Sequence, residues 1–237
     1  MSGPNTAMIL AAGFGTRMGA LTQERPKPLM HVGGGTLIDH TLDLANDAGV
    51  TDAVINLHYR GPQIRAHLAD RTMPKISFSE ESPEILDTGG GLVQARPMLG
   101  VAPFFALNSD NVFVGDNPLK TLSWAWRPAE MDVLLLLVPT DKTRAYTRPG
   151  DFTIDTSGVP QPRGEAKTAP YVYTGAQIIV PESLDGAPEG AFSIKVIWER
   201  LRHTGRLRAV VYGGHWVDVG TPEGLVEAEA AMNAAHP

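Results

Sequence analysis

The segment Met8–Leu29, MILAAGFGTRMGALTQERPKPL, constrains this chain more than any other. Met8, Ile9 and Leu10 make a short apolar run of the kind that becomes a buried strand. The run breaks into Ala11-Ala12-Gly13-Phe14-Gly15-Thr16, where small residues and two glycines let the backbone turn sharply and approach a ligand closely. A loop leaving a strand in this way presents N–H donors that suit phosphate oxygens. Two cations follow, Arg17 and Lys27. The lysine stands in Pro26-Lys27-Pro28, where both prolines restrict φ and are expected to keep it off a helix face. Glycine cradle, arginine fork and stiffened lysine describe a site for a polyphosphate.

Other nucleotide motifs do not fit. A dinucleotide fingerprint needs G-x-G-x-x-G, but position 18 is Met and the next glycine, Gly19, is one residue late. A P-loop ends in Gly-Lys-Ser/Thr, and the chain has no Gly-Lys pair. Gly13-Phe14-Gly15 alone is equally compatible with an ordinary glycine-rich turn; Arg17 and Pro26-Lys27-Pro28 make that coincidence improbable.

Around this segment, strand and helix patterns alternate. Thr36 caps a helix carrying Leu37, Ile38, Leu42, Leu44 and Ala45, and Gly49 stops it. Ala53–Leu57 and Ile76–Ser79 read as strands, with a helix over Gly61–Leu68 between them. Gly89-Gly90-Gly91 reads as a loop feeding a helix that runs to Leu99. A strand over Pro103–Leu107, a helix over Pro118–Trp126 and an apolar strand over Met131–Val138 come next. Thr140–Pro170 is looser, with a short strand at Phe152 and Ile154. Tyr171–Val180 is a strand, Ala191–His203 an amphipathic helix, and Leu207–Tyr212 and His215–Val219 two more strands. Pro222 opens the last helix. This order predicts an α/β fold, a three-layer doubly wound and mostly parallel sheet whose ligands bind beyond the carboxyl ends of its strands. A single domain over 1–237 is expected, with a small embedded β-rich region near 140–190.

Composition narrows the partners. With 237 residues, 43% hydrophobic and 19% charged, the chain can bury a core without staples. A formal net charge of −6 argues against a nonspecific nucleic-acid surface. The absence of cysteine excludes disulfides, thiolate metal sites and cysteine nucleophiles. The N-terminus lacks the basic stretch of a signal peptide and no apolar run is long enough to span a bilayer, so a cytoplasmic protein without membrane partners is expected.

Two aspartates stand out. Asp110 follows the strand Phe104-Phe105-Ala106-Leu107-Asn108, where a carboxylate faces the ligand crevice and can hold Mg²⁺; a plain turn role in Ser-Asp-Asn is the alternative. In Trp216-Val217-Asp218-Val219-Gly220-Thr221, alternation puts Asp218 on one face with Trp216, and a capping or salt-bridge role is again open.

The opening segment resembles the sugar-1-phosphate nucleotidyltransferases, whose motif is L-A-A-G-x-G-T-R-M/L-x-P-L-T followed by P-K-P-L. Leu10–Met18, Leu21-Thr22 and Pro26–Leu29 match it, and Ala20 replaces the usual proline. The resemblance implies nucleotide contacts from Ala11, Ala12, Gly13, Gly15, Thr16, Arg17 and Lys27, with Arg17, Lys27 and Asp110 catalytic. It implies that Asn108-Ser109-Asp110, with Ser for the family's Gly, and the late W-x-D-V-G-T motif supply Asp110 and Asp218 as the Mg²⁺ pair. Asn108 joins the nucleotide set, as do Glu81 and Gly89 of the region thought to meet the base. Asp87-Thr88-Gly89-Gly90-Gly91 is similar to the form in uridylyltransferases acting on N-acetylmuramate 1-phosphate more than to that of mannose-1-phosphate guanylyltransferases. Gly150-Asp151-Phe152 and Tyr173-Thr174-Gly175-Ala176-Gln177 resemble acceptor-sugar segments, which implies Gly150, Asp151, Thr174 and Gly175 as sugar contacts; turn and strand structure is the alternative. The family's Glu-Lys-Pro motif is missing, and Lys167 in Arg163-Gly164-Glu165-Ala166-Lys167 does not replace it.

The implied reaction joins a sugar 1-phosphate to an NTP, UTP favoured over GTP, releasing pyrophosphate. A monomer or small homo-oligomer is expected. A non-catalytic nucleotide or sugar sensor would not need the paired aspartates, and a metal-dependent glycosyltransferase would not need Arg17 and Lys27 set for a triphosphate tail.

Overall fold

The computed structural model describes residues 3–235. The first apolar run becomes β1, Thr6–Leu10, and is followed by α1 (Leu37–Asp47), β2 (Asp52–Leu57), α2 (Gly61–His67) and β3 (Lys75–Glu80). Then come α3 (Asp87–Leu99), β4 (Phe104–Asn108), β5 (Asn111–Val114), α4 (Pro118–Ala125) and β6 (Val133–Pro139). The remainder is β7 (Phe152–Ile154), β8 (Pro160–Pro162), β9 (Tyr171–Ile179), α5 (Lys195–His203), β10 (Leu207–Val211), β11 (His215–Asp218) and α6 (Pro222–Ala235).

The main sheet has nine strands: along the path β10-β6-β9-β4-β1-β2-β3 every strand except β9 points the same way, and the antiparallel hairpin β7–β8 joins through β9. The expected doubly wound, mostly parallel sheet is present. Alternation along the strands sorts the core into two layers. Ala7, Ile9, Phe105, Leu107, Leu134 and Leu136 meet α1, α2 and α4 on one face. Met8, Phe104, Ala106, Val133, Leu135 and Leu137 meet α3 and α5 on the other. β6 is buried on both faces, which explains its unbroken apolar sequence. Thr36 and Asp39 form a reciprocal capping box on α1, and Gly49 takes the left-handed conformation just past its end.

A third, smaller layer covers one end of the sheet. β11 pairs with β5 and with the short strand Thr143–Arg144, and α6 packs over them through Ala228 and Ala231 onto Val112 and Val217. Among the described residues, no helix is long and apolar enough to cross a membrane.

Three local expectations are corrected, and one strand is added. The three glycines 89–91 lie inside α3, not in a loop before it, because the helix passes close to its neighbours. A Cβ on Gly91 would come 2.6 Å from Glu81 Oε1, and one on Gly90 would collide with the carbonyl of Gly190. α5 begins at Lys195, because Phe192 is spent outside it, its carbonyl accepting the N–H groups of Gly89 and Gly90. Lys27 opens a single 3₁₀ turn, Lys27–Leu29. β5 was not expected; it starts directly after Asp110, inside the stretch read as a turn.

Candidate active site

The chain leaves β1 toward β2 on one side and later returns to place β4 on the other. At such a switch the loops leaving adjacent carboxyl ends diverge and open a crevice. Residues 11–17 form one rim and Asn108-Ser109-Asp110 the other. Ser109 sews the rims together, since its N–H and its hydroxyl both donate to Leu10 O, at 3.2 and 2.8 Å.

Three cavities meet at Asp110. One of about 250 Å³ is lined by Ala11, Gly13, Gly15, Thr16, Arg17 and Lys27. Another of about 200 Å³ has Ala12, Asn56, Glu81, Thr88 and Asn108 in its walls. The third, about 610 Å³, lies between β9 and the small sheet, with Gly150, Asp151, Thr174, Gly175 and Asp218 in its walls. Of the candidate residues only Gly89 stands apart. Its N–H donates to Phe192 O at 2.8 Å, and the ring of Phe192 fills the space beyond its Cα. Its glycine is required by helix packing.

The glycine loop is shaped by two different demands. Gly15 has φ +64, and a Cβ there would come 3.0 Å from both Lys27 Cβ and Thr22 Cγ2. Gly13 faces open space, with nothing within 4 Å of a Cβ. Lys27 reaches into the crevice with its side chain only 9% exposed, and Nζ lies 2.5 Å from Asp110 Oδ2. A lysine buried to this degree needs such a partner. Arg17 stays 57% exposed and approaches Asp218 Oδ2 at 3.9 Å. Gly220 makes room for it, since a Cβ there would lie 2.5 Å from Nη1.

The antiparallel register of β5 and β11 sets Asn111 opposite Asp218, so the residue next to Asp110 pairs with Asp218. Both carboxylates line the large cavity. Asp218 also takes Arg148 Nη2 at 3.4 Å, and that guanidinium lies 4.7 Å over the ring of Tyr146. The two aspartates are hard oxygen donors on one cavity wall. Among the described residues no cluster of three or more His, Asp or Glu forms a complete metal cage. This donor set fits Mg²⁺, which takes one or two protein carboxylates and completes its shell with phosphate and water oxygens.

Glu81 is 3% exposed, and each of its carboxylate oxygens already accepts a bond, from Asn56 Nδ2 at 2.6 Å and from Leu86 N–H at 2.8 Å. Asn56 Oδ1 in turn accepts the N–H of Ala11 at 2.7 Å. Glu81 therefore holds the first residue of the loop in place through Asn56.

On the large cavity, Gly150 has φ +86 and lies against the carbonyl of Ala169, so no larger residue fits. Asp151 accepts the N–H of Tyr173 at 3.0 Å, and Thr174 donates to Leu136 O at 2.9 Å. Gly175 sits at a register shift in β9 with φ +81, and a Cβ there would lie 2.5 Å from Asn111 Nδ2 and 2.8 Å from Asn108 Nδ2. Farther along, Arg202 pairs with Glu199 at 2.5 Å and holds that carboxyl down at about 2.

Asn56, Asn111, Arg148 and Gly220 were not singled out in the sequence. Only Gly220, two residues after Asp218 in the W-x-D-V-G-T motif, and Asn111, next to Asp110, had a visible signal.

The nucleotidyl transferase family model matches residues 6–235. An N-acetylmuramate alpha-1-phosphate uridylyltransferase of Caulobacter vibrioides is 38% identical, covering 98% of each chain. One of Neisseria meningitidis is 35% identical over 96% of this chain and 98% of the relative. Among solved structures, HddC from Yersinia pseudotuberculosis complexed with GMP-PN shares the fold with a TM-score of 0.78 at 23% identity, covering 95% of this chain and 98% of that one.

Proposed function

The chain belongs to the nucleotidyl transferase family, and we propose that it transfers UMP from UTP to N-acetylmuramate 1-phosphate, releasing pyrophosphate. The observation that carries this reading is the meeting of three cavities at Asp110, one lined by the glycine loop, one by Glu81 and Thr88, and one by the acceptor wall. The two relatives named above support the choice of UTP and of the amino sugar.

The sugar phosphate attacks as an oxyanion, so no general base is needed. One of its oxygens bonds to the α-phosphorus as the bond to the bridging oxygen of pyrophosphate breaks. The obstacle is repulsion between two anions, and the chain answers it with fixed cations. Arg17 and Lys27 line the cavity assigned to the triphosphate tail and balance the charge that builds on the leaving group. Arg148, preorganised over Tyr146 beside Asp218, is assigned the acceptor phosphate in place of the missing lysine. Asp110 and Asp218 would hold Mg²⁺, which screens the charge of both phosphates. Gly150 and Gly175 shape the wall against which the sugar is aligned.

A panel of four NTPs against several sugar 1-phosphates, read by pyrophosphate release, tests the reading. UTP with N-acetylmuramate 1-phosphate should be fastest. Preference for GTP with mannose 1-phosphate would change the specificity and keep the reaction. No pyrophosphate from any pair would overturn it.

A further inference from the structure

The acceptor cavity carries more positive charge than its own carboxylates neutralise. Asp110 is paired with Lys27, and Asp218 lies between Arg17 and Arg148. Glu199 is occupied by Arg202 and His203, and Asp151 accepts the N–H of Tyr173. Two cations on the same wall have no carboxylate partner among the described residues. Arg163 donates only to the carbonyls of Gly150 and Ala166, at 3.2 and 2.6 Å. Lys195 Nζ has no polar partner among the described residues, and the first turn of α5 holds no acidic residue to offset it. In a chain of net charge −6 this local surplus is a departure from the overall balance.

Lys195 lies along the wall away from Asp110, and Arg163 stands on the same wall against Gly150. From Asp110 the wall passes through Asn111 to Gly175, then to Tyr173 two residues earlier. The ring of Tyr173 packs at 4.8 Å on Trp198, and Lys195 sits one helical turn before that tryptophan. A sugar with its 1-phosphate beside Asp218 and Arg148 would lie along these aromatic rings and point its far substituents at Lys195 and Arg163.

We infer that Lys195 and Arg163 receive a carboxylate carried by the acceptor sugar on a substituent remote from its phosphate, which makes the preferred substrates acidic sugar 1-phosphates. The inference rests on the transferase reading above and adds to it the residues that set acceptor choice. A neutral sugar leaves the two cations solvated and loses nothing else. A carboxylate gains charge-assisted hydrogen bonds to both.

The test compares N-acetylmuramate 1-phosphate with N-acetylglucosamine 1-phosphate, which has the same ring without the carboxylate-bearing ether. Each is measured by calorimetric binding in the presence of Mg²⁺ and by pyrophosphate release with UTP. The unmodified protein should favour the carboxylate-bearing acceptor by about 10-fold or more. In Lys195→Met that ratio should fall by roughly 10-fold, and Lys195→Arg should restore most of it. Arg163→Gln should lower the ratio too; its contacts with two carbonyls make it the riskier variant for folding, so Lys195 decides. A ratio unchanged in Lys195→Met, or both acceptors weakened equally, would overturn the inference. Absence of turnover with every acceptor would instead sink the transferase reading, and the binding ratio would still decide whether Lys195 reads a carboxylate.

Discussion

The two sides of the crevice are built in different ways. The side assigned above to the triphosphate comes mainly from one stretch, residues 11–17 with Lys27, and its shape is set by backbone conformation and small side chains. The side assigned to the acceptor draws on β9, the end of β11, the loop before β7 and the start of α5, and is held by side chains reaching across long sequence distances. The proposed ligands would account for the contrast. A triphosphate tail presents the same charged shape whatever base it carries, so backbone amides and two cations suffice. A sugar must be read substituent by substituent, which takes residues from many directions.

The comparison is most exposed where the two sides meet. Asp110→Asn and Lys27→Met should each lower kcat at least about 100-fold, the scale lost when one fixed group at developing charge is removed. Near-normal kcat in either purified variant would break the assignment of this pair. Their stabilities should differ. Lys27→Met leaves behind a carboxylate that is 31% exposed and can be hydrated, whereas Asp110→Asn strands an ammonium group that is 9% exposed. The lower Tm is therefore expected for Asp110→Asn.

The glycines sharpen the contrast by separating space kept for a ligand from space demanded by the fold. Gly175→Ala forces φ +81 on alanine and drives a methyl group to 2.5 Å from Asn111 Nδ2. It should cost about 2 kcal/mol or more, a fall in Tm of about 4–8 °C at this chain length. Gly13→Ala meets nothing within 4 Å, so Tm should move by no more than about 1–2 °C. Its methyl group instead intrudes on the nucleotide cavities, and KM for UTP should rise roughly 10-fold. Equal losses of Tm in thermal denaturation of the two variants would erase the distinction.

The same difference governs what the sequence discloses. The strands and helices of the main sheet were legible because burial leaves a pattern, an unbroken apolar run in β6 and a helical period in α1. The cavity of the glycine loop was legible because most of its wall comes from neighbours in the chain. Gly89 misled because a glycine demanded by a passing Phe192 looks the same, in sequence, as one that admits a ligand. Arg148 and Lys195 carried no local mark. Their place on the cavity wall follows from the pairing of β11 with Thr143–Arg144 and from where α5 begins, and both are tertiary facts. Asn56 was hidden for another reason: it lies in an ordinary apolar strand, and only the approach of Ala11 and Glu81 gives it a purpose.

That last network offers the smallest and most specific test. Asn56 cannot flip its amide, because Oδ1 is fixed by the N–H of Ala11, so Nδ2 must donate toward Glu81. The other oxygen of Glu81 faces the N–H of Leu86. Glu81→Gln sets its new NH₂ against one of these two donors and should cost about 1–2 kcal/mol for the unsatisfied pair. Adding Asn56→Asp replaces the opposing donor with an acceptor, while the remaining oxygen at position 81 can still take the N–H of Leu86. The double variant should therefore recover most of the lost Tm, a positive coupling in a double-mutant cycle. Because the chain of bonds ends on Ala11, KM for UTP should follow the same fall and recovery. Additive losses in the double variant would show that Glu81 holds the loop by some means other than this complementarity.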